Sequence, residues 1–338
     1  MNKPDTPSSL KEIRDLLREL PGPDLGAKRA VETREMALLK PPGALGRLES
    51  LAAWLAAWQG REDPHLAKPR IAVFAGNHGV AAQGVSAYPA SVTAQMVQAF
   101  IAGQGAVNQL SALADADLRI YELALDQPTE DMTQGPAMGE EDAVRAIAYG
   151  MMAVEPGFDC MGLGEMGIAN TTAAAALAAA LFGGSGADWA GPGTGLDREA
   201  LTRKAAVIDR ALAQNAEALG DPLACLAAFG GYEFCAILGA VIACRLARTP
   251  VILDGFACSV AASVLHAIRP ESMDHCLVAH VSAEPGHRRL LAEIGKQPLL
   301  DFSMRLGEAS GAALVLPLLK AACACHNGMA TFEEAGVG

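Results

Sequence analysis

The spacing of apolar residues along this chain changes twice. From Leu10 to Leu20, and again from Leu45 to Trp58, they recur every three or four positions, the repeat that turns one face of a helix toward a core. Ser8 or Ser9 stands where a hydroxyl can cap the first of these helices. From Arg70 the pattern becomes short apolar runs, each ending in a glycine-rich or polar loop that enters a helix: Ile71 to Ala75, Phe158 to Leu163, Val251 to Leu253 and Val278 to Val281. Repeated strand, loop and helix units predict parallel strands with crossover helices, hence a doubly wound, Rossmann-like α/β sheet. The stretch from Ala312 to Ala324 is again apolar and helical. Both chain ends are therefore expected to pair as a small helical subdomain, residues 1–65 with 312–338, beside an α/β domain spanning 66–311.

Composition narrows the class. The chain has 338 residues, 51% of them hydrophobic, enough for a large core. A formal net charge of -12 argues against nucleic acid or an anionic membrane as partner, since both call for clustered Lys and Arg. Any phosphate must therefore be held locally. The N-terminus lacks a basic stretch followed by an apolar run, and the apolar stretches Thr171 to Phe182 and Phe234 to Cys244 are shorter than the roughly 20 residues a membrane span needs, so they predict buried helices. Eight cysteines sit mostly inside apolar runs, which fits a reducing, cytoplasmic compartment. Cys323, Cys325 and His326 have no second ligand cluster at zinc spacing, so no metal site is expected.

Several loops at predicted strand ends have residues suited to chemistry. In Gly164 to Thr172, glycines and a helix start offer backbone donors to a phosphate, although Asn170 or Thr171 placed there would also serve simply as a cap. Gly191-Pro192-Gly193-Thr194-Gly195 suits close approach to a phosphate or ribose, yet it is neither a Walker A loop nor GxGxxG, and turns require glycine anyway. The six glycines between Gly183 and Gly195 read as a binding loop, because helical sequence resumes at Asp197. Asp254-Gly255-Phe256 and the segment from His280 to His287 end strands, where α/β proteins place function, while His78 and His280 read equally as satisfied core histidines. Glu308 lies between small residues just before an apolar helix. A partly buried carboxylate there would be basic enough to take a proton, and a first-turn glutamate that only complements the helix dipole is the plainer alternative.

Taken in order, these segments resemble the nicotinate-nucleotide–dimethylbenzimidazole phosphoribosyltransferase family nearly end to end. The resemblance rests on Lys40 to Glu49, Gly76 to Val80, Gly84 to Pro89, Gly164 to Thr172, Gly191 to Asp197, Phe229 to Glu233, Leu253 to Phe256, His280 to His287, Pro298 to Asp301, Met304 to Glu308 and Met329 to Phe332. It implies that Glu308 is the general base. It implies that Glu165, Gly167, Asn170, Gly193, Thr194, Gly195, Lys204 and Ser282 surround the nucleotide, and that Ser86, Tyr88 and Gln95 line a benzimidazole pocket. No cofactor is implied, and the partners are small-molecule substrates and a second copy of the chain. Two departures from the common pattern stand out: Pro192 replaces a basic residue, shifting phosphate binding onto backbone donors and Lys204, and Ala309 replaces a glycine. A relative preferring adenine or a phenol, and a non-catalytic nucleotide-binding protein, are the alternatives. A dinucleotide-dependent oxidoreductase is disfavoured, because no GxGxxG turn precedes an acidic residue.

Overall fold

The computed structural model describes residues 7–337. Its centre is a five-stranded, all-parallel sheet in the order β2-β1-β3-β4-β5, made of β1 (Pro69–Ala75), β2 (Asp117–Glu122), β3 (Cys160–Met166), β4 (Val251–Leu253) and β5 (Cys276–Val278). All residues of β1 and β3 are buried, as expected of near-continuous apolar strands covered by helices on both faces. The doubly wound sheet is as predicted. β2 was not foreseen, because Asp117, Arg119 and Glu122 interrupt its apolar residues; it is a half-buried edge strand paired only with β1.

Helices cover both faces. They run α1 (Leu10–Arg18), α2 (Leu25–Ala37), α3 (Arg47–Gln59), α4 (Ser91–Ile101), α5 (Ala106–Leu113), α6 (Glu140–Met152), α7 (Asn170–Phe182) and α8 (Gly186–Trp189). Then follow α9 (Arg198–Gln214), α10 (Pro222–Phe229), α11 (Tyr232–Leu246), α12 (Phe256–Ile268), α13 (Pro285–Glu293) and α14 (Ser310–Gly328). Ser9 caps α1, its hydroxyl accepting the Glu12 N–H at 3.2 Å. The two apolar stretches too short for a membrane are buried α7 and α11, and no helix among the described residues is long and apolar enough to cross one.

Two cores flank the sheet. One gathers α1, α6, α7, α10, α11 and α12; the other gathers α3, α4, α5 and α14 against the opposite face. The packing departs from the expected pairing of chain ends in one respect. Leu10, Ile13 and Leu17 of α1 join the first core, and Arg14 pairs with Asp221, so α1 packs with the α/β body while α2, α3 and α14 pack together. A buried network seals that join: Lys40 Nζ lies 3.0 Å from Glu35 and 2.8 Å from Glu49, and Glu35 meets His326 Nδ1 at 2.8 Å.

Candidate active site

Parallel strands bring all their carboxyl ends to one edge, where the helices that follow point their N-termini. A cavity of about 490 Å³ opens there. β3 contributes Glu165, Met166 and Gly167, and the turn after it contributes Ile168, Asn170 and Thr171. Gly255 and Phe256 come from the end of β4, His280, Ser282 and Glu284 from beyond β5, and Arg305 to Glu308 from the loop before α14. Gly193 and Thr194 close one side; Val92 and Met96 of α4, with Tyr88 at the rim, close another.

Glu308 is held in an unusual backbone. Gly307, Glu308 and Ala309 take φ of +80°, +62° and +59°, three consecutive residues in the left-handed region. Glu308 donates its N–H to the Glu165 carbonyl at 3.2 Å, and Ser310 returns both its N–H and its hydroxyl to the Gly307 carbonyl. Burial, reinforced by the Asp254 charge, pushes the Glu308 carboxyl up to about 7. Glu308 precedes α14, which begins at Ser310, so it does not sit in the first turn of that helix.

Its neighbours are also buried acids. Glu165 accepts the Asn170 amide at 2.6 Å, and burial, with Asp254 and Glu233 nearby, holds its pKa well above the usual carboxylate range. Asp254 is pushed up to about 7 by burial, against the pull of the backbone N–H groups of Ala312, Gly311 and Ala309. Asn170 therefore does not cap α7; its amide serves Glu165, and no side chain caps that helix. His78 is a core histidine, paired at 2.5 Å with buried Glu233. His280 lines the cavity with both ring nitrogens unpartnered.

The structure brings Glu308, Glu165, Gly167, Asn170, Gly193, Thr194, Ser282 and Tyr88 to one cavity wall. It places others differently. Lys204 is fully buried behind the wall, its Nζ donating to Thr171 Oγ1 at 2.8 Å and to the Gly191 carbonyl at 2.9 Å, so it braces the glycine loop rather than facing the cavity. The Gly193 N–H, expected to be free for a phosphate, is taken by Glu284 Oε1 at 2.8 Å. Gly195 stands outside the wall with φ +112°, and Gln95 is exposed on α4, whose Val92 and Met96 face inward instead. Ser86 is one step back, its hydroxyl 3.2 Å from Thr194 Oγ1. Val92 and Met96 were missed, while Phe256, Glu284 and Arg305 lie in segments the sequence marks without singling them out, for only folding shows which members of a helix or loop turn inward.

A family model described as phosphoribosyltransferase matches residues 20–337. The chain belongs to this phosphoribosyltransferase family. It is 55% identical over 326 residues to the nicotinate-nucleotide–dimethylbenzimidazole phosphoribosyltransferase of Brucella anthropi, covering 96% of each chain, and 54% identical to that of Brucella canis over the same span. The crystal structure of the protein of that name from Thermus thermophilus superposes with a TM-score of 0.86 at 40% identity, over 93% of this chain and 99% of that one. The sheet edge described above is thus the candidate active site of a phosphoribosyltransferase.

Proposed function

We propose that the chain transfers ribose 5-phosphate from nicotinate mononucleotide to 5,6-dimethylbenzimidazole, giving α-ribazole 5′-phosphate and nicotinate for cobalamin nucleotide-loop assembly. The observation that carries this reading is Glu308, a buried carboxyl raised to about 7 at the head of a cavity large enough for two flat rings and a sugar. Its full-length kinship to proteins bearing that name supports the choice of substrates.

Benzimidazole attacks the anomeric carbon through its pyridine-like nitrogen. The bond from that carbon to the nicotinate nitrogen breaks, and its electron pair restores a neutral pyridine ring. Left alone, the product would be a cation, so the N–H proton of the attacking base must leave; Glu308 takes it as the new bond forms. Attack opposite the leaving group inverts β to α. Val92, Met96, Leu306 and Tyr88 give the flat base an apolar slot, and Thr194, Ser282 and Arg305 give the ribose phosphate polar partners. Holding both rings on opposite faces of one carbon supplies much of the remaining rate.

Glu308→Gln tests the reading. Purified protein, nicotinate mononucleotide and 5,6-dimethylbenzimidazole are expected to release nicotinate and an α-riboside in equal amounts, with kcat lowered ~10²–10⁴-fold in the variant. Equal turnover by both proteins would remove Glu308 as the base, and a wild type inactive on every base offered would remove the transfer itself. We also propose a cytoplasmic homodimer, on the strength of the family resemblance. Light scattering on the eluting protein should give twice the 34.9 kDa chain mass, and a monomer would refute that part.

A further inference from the structure

We infer that Asp254 is a positioning residue for Glu308: from the end of β4 it fastens the start of α14, and so holds the left-handed turn that aims the Glu308 carboxylate. The inference rests on the reading of Glu308 as the base. A helix start needs acceptors for its unpaired N–H groups, yet α14 has Ala309 at its N-cap and no side-chain cap of its own. Asp254 supplies one from a different strand. Its Oδ1 accepts the Ala312 N–H at 3.0 Å, and the N–H groups of Gly311 and Ala309 also bear on the carboxylate.

The approach is built for. A Cβ on Gly311 would fall 2.8 Å from Asp254 Oδ1 and 2.1 Å from the His280 ring, so only glycine admits both. Asp254 itself is tied into the sheet, its N–H donating to the Leu163 carbonyl at 3.0 Å. Non-glycine residues resist the left-handed region, and two of them, Glu308 and Ala309, are adjacent here. Without an anchor at the next turn, that strain would relax and carry Glu308 away from its place.

Asp254 also acts through its charge. It is the charge that bears on Glu308, and Glu308, Glu165 on β3, Cys258 on α12 and His280 beyond β5 are the titratable groups gathered around it. The His280 Nε2 lies 3.9 Å from Oδ1, and Asp254 Oδ2 has no partner. Asp254 and Glu308, both raised to about 7, titrate as a coupled pair, so whichever ionises first holds the proton on the other to higher pH. Glu308 is thus both aimed and tuned from the end of β4.

Asp254→Asn separates the two effects, because the amide oxygen can still accept from Ala312 while the charge is gone. Expected is a folded protein whose acid limb of kcat/KM moves to lower pH. Wild-type activity at pH 6 should be about a tenth of its plateau if Glu308 titrates at about 7, and the variant should retain a larger share of a lower plateau. Protonation of the substrates is common to both proteins. Asp254→Ala, lacking the anchor, is expected to lose at least about tenfold in kcat with little change in the KM for nicotinate mononucleotide; if it does not fold, Asp254→Leu, which fills the same space without an acceptor, takes its place. An acid limb in Asp254→Asn that coincides with the wild type overturns the tuning, and a folded Asp254→Ala with wild-type kcat overturns the anchor. A wild type without turnover at any pH would instead overturn the reading of Glu308 on which it stands.

Discussion

A lysine ammonium with no exposed surface is costly, and at Lys204 burial lowers the pKa to about 8 even though the Glu284 charge opposes the shift. What offsets the cost is its pair of hydrogen bonds, one to the first turn of α7 and one to the Gly191 carbonyl, which tie the glycine loop to the cavity wall. Lys204→Met should leave both acceptors unpaired and loosen the loop that carries Gly193 and Thr194. Losses of about 1–3 kcal/mol accompany such orphaned groups, so the KM for nicotinate mononucleotide should rise ~10–100-fold with a smaller fall in kcat. Steady-state kinetics with each substrate varied in turn would check this, and an unchanged nucleotide KM would show that the loop holds its shape without the brace. Lys204→Arg is not expected to restore it, because a guanidinium is larger and flatter than the buried space of one ammonium.

Between elements, β3 meets the start of α14 in a close fit. A Cβ on Gly164 would lie 2.2 Å from the backbone nitrogen of Ala309, so the strand can approach the left-handed turn only as glycine. Gly164→Ala must push that backbone aside, at a cost of about 1–3 kcal/mol. The expected result is a lower melting temperature together with a loss of kcat, since the same backbone carries Glu308; a loss of stability at unchanged kcat would mean that the turn moves as a unit without disturbing its carboxylate. The sequence makes the partners in this contact easy to find singly. The apolar run from Val251 to Leu253 coincides with β4, and Phe158 to Leu163 overlaps β3, because buried parallel strands are plain apolar runs. It does not show which elements touch. β2 was hidden by its charges, and α1 carries the same helical repeat as α3 yet packs on the other side of the sheet, because a repeat marks a buried face without naming what covers it. The site was legible to a similar depth: family motifs pointed to Glu308 and Glu165, but the link from Asp254 to Ala312 spans 58 positions and has no local signature.

Taken as a whole, the molecule buries ionisable groups of both kinds in ways that oppose each other as pH changes. His275 and His287 are held neutral, with burial lowering both to about 3, so their contribution to stability is present above the unfolded histidine value near 6.5 and is lost as pH falls below it. Glu165, Asp254 and Glu308 are shifted the other way, raised by burial. Above their unfolded values near 4 the unfolded chain binds fewer protons than the native one at these sites, so their contribution falls as pH rises toward the folded values. Between about pH 4 and 6.5 the two sets act against each other; above that range only the carboxyls continue to erode stability. Glu165→Gln isolates one of them, since the amide can still accept from Asn170 and has no proton to lose. The melting temperature of the variant minus that of the wild type is therefore expected to grow from pH 5 to pH 9, measured on the ligand-free protein at constant ionic strength. A difference that stays flat would mean that Glu165 ionises as readily folded as unfolded, and that burial does not hold its proton.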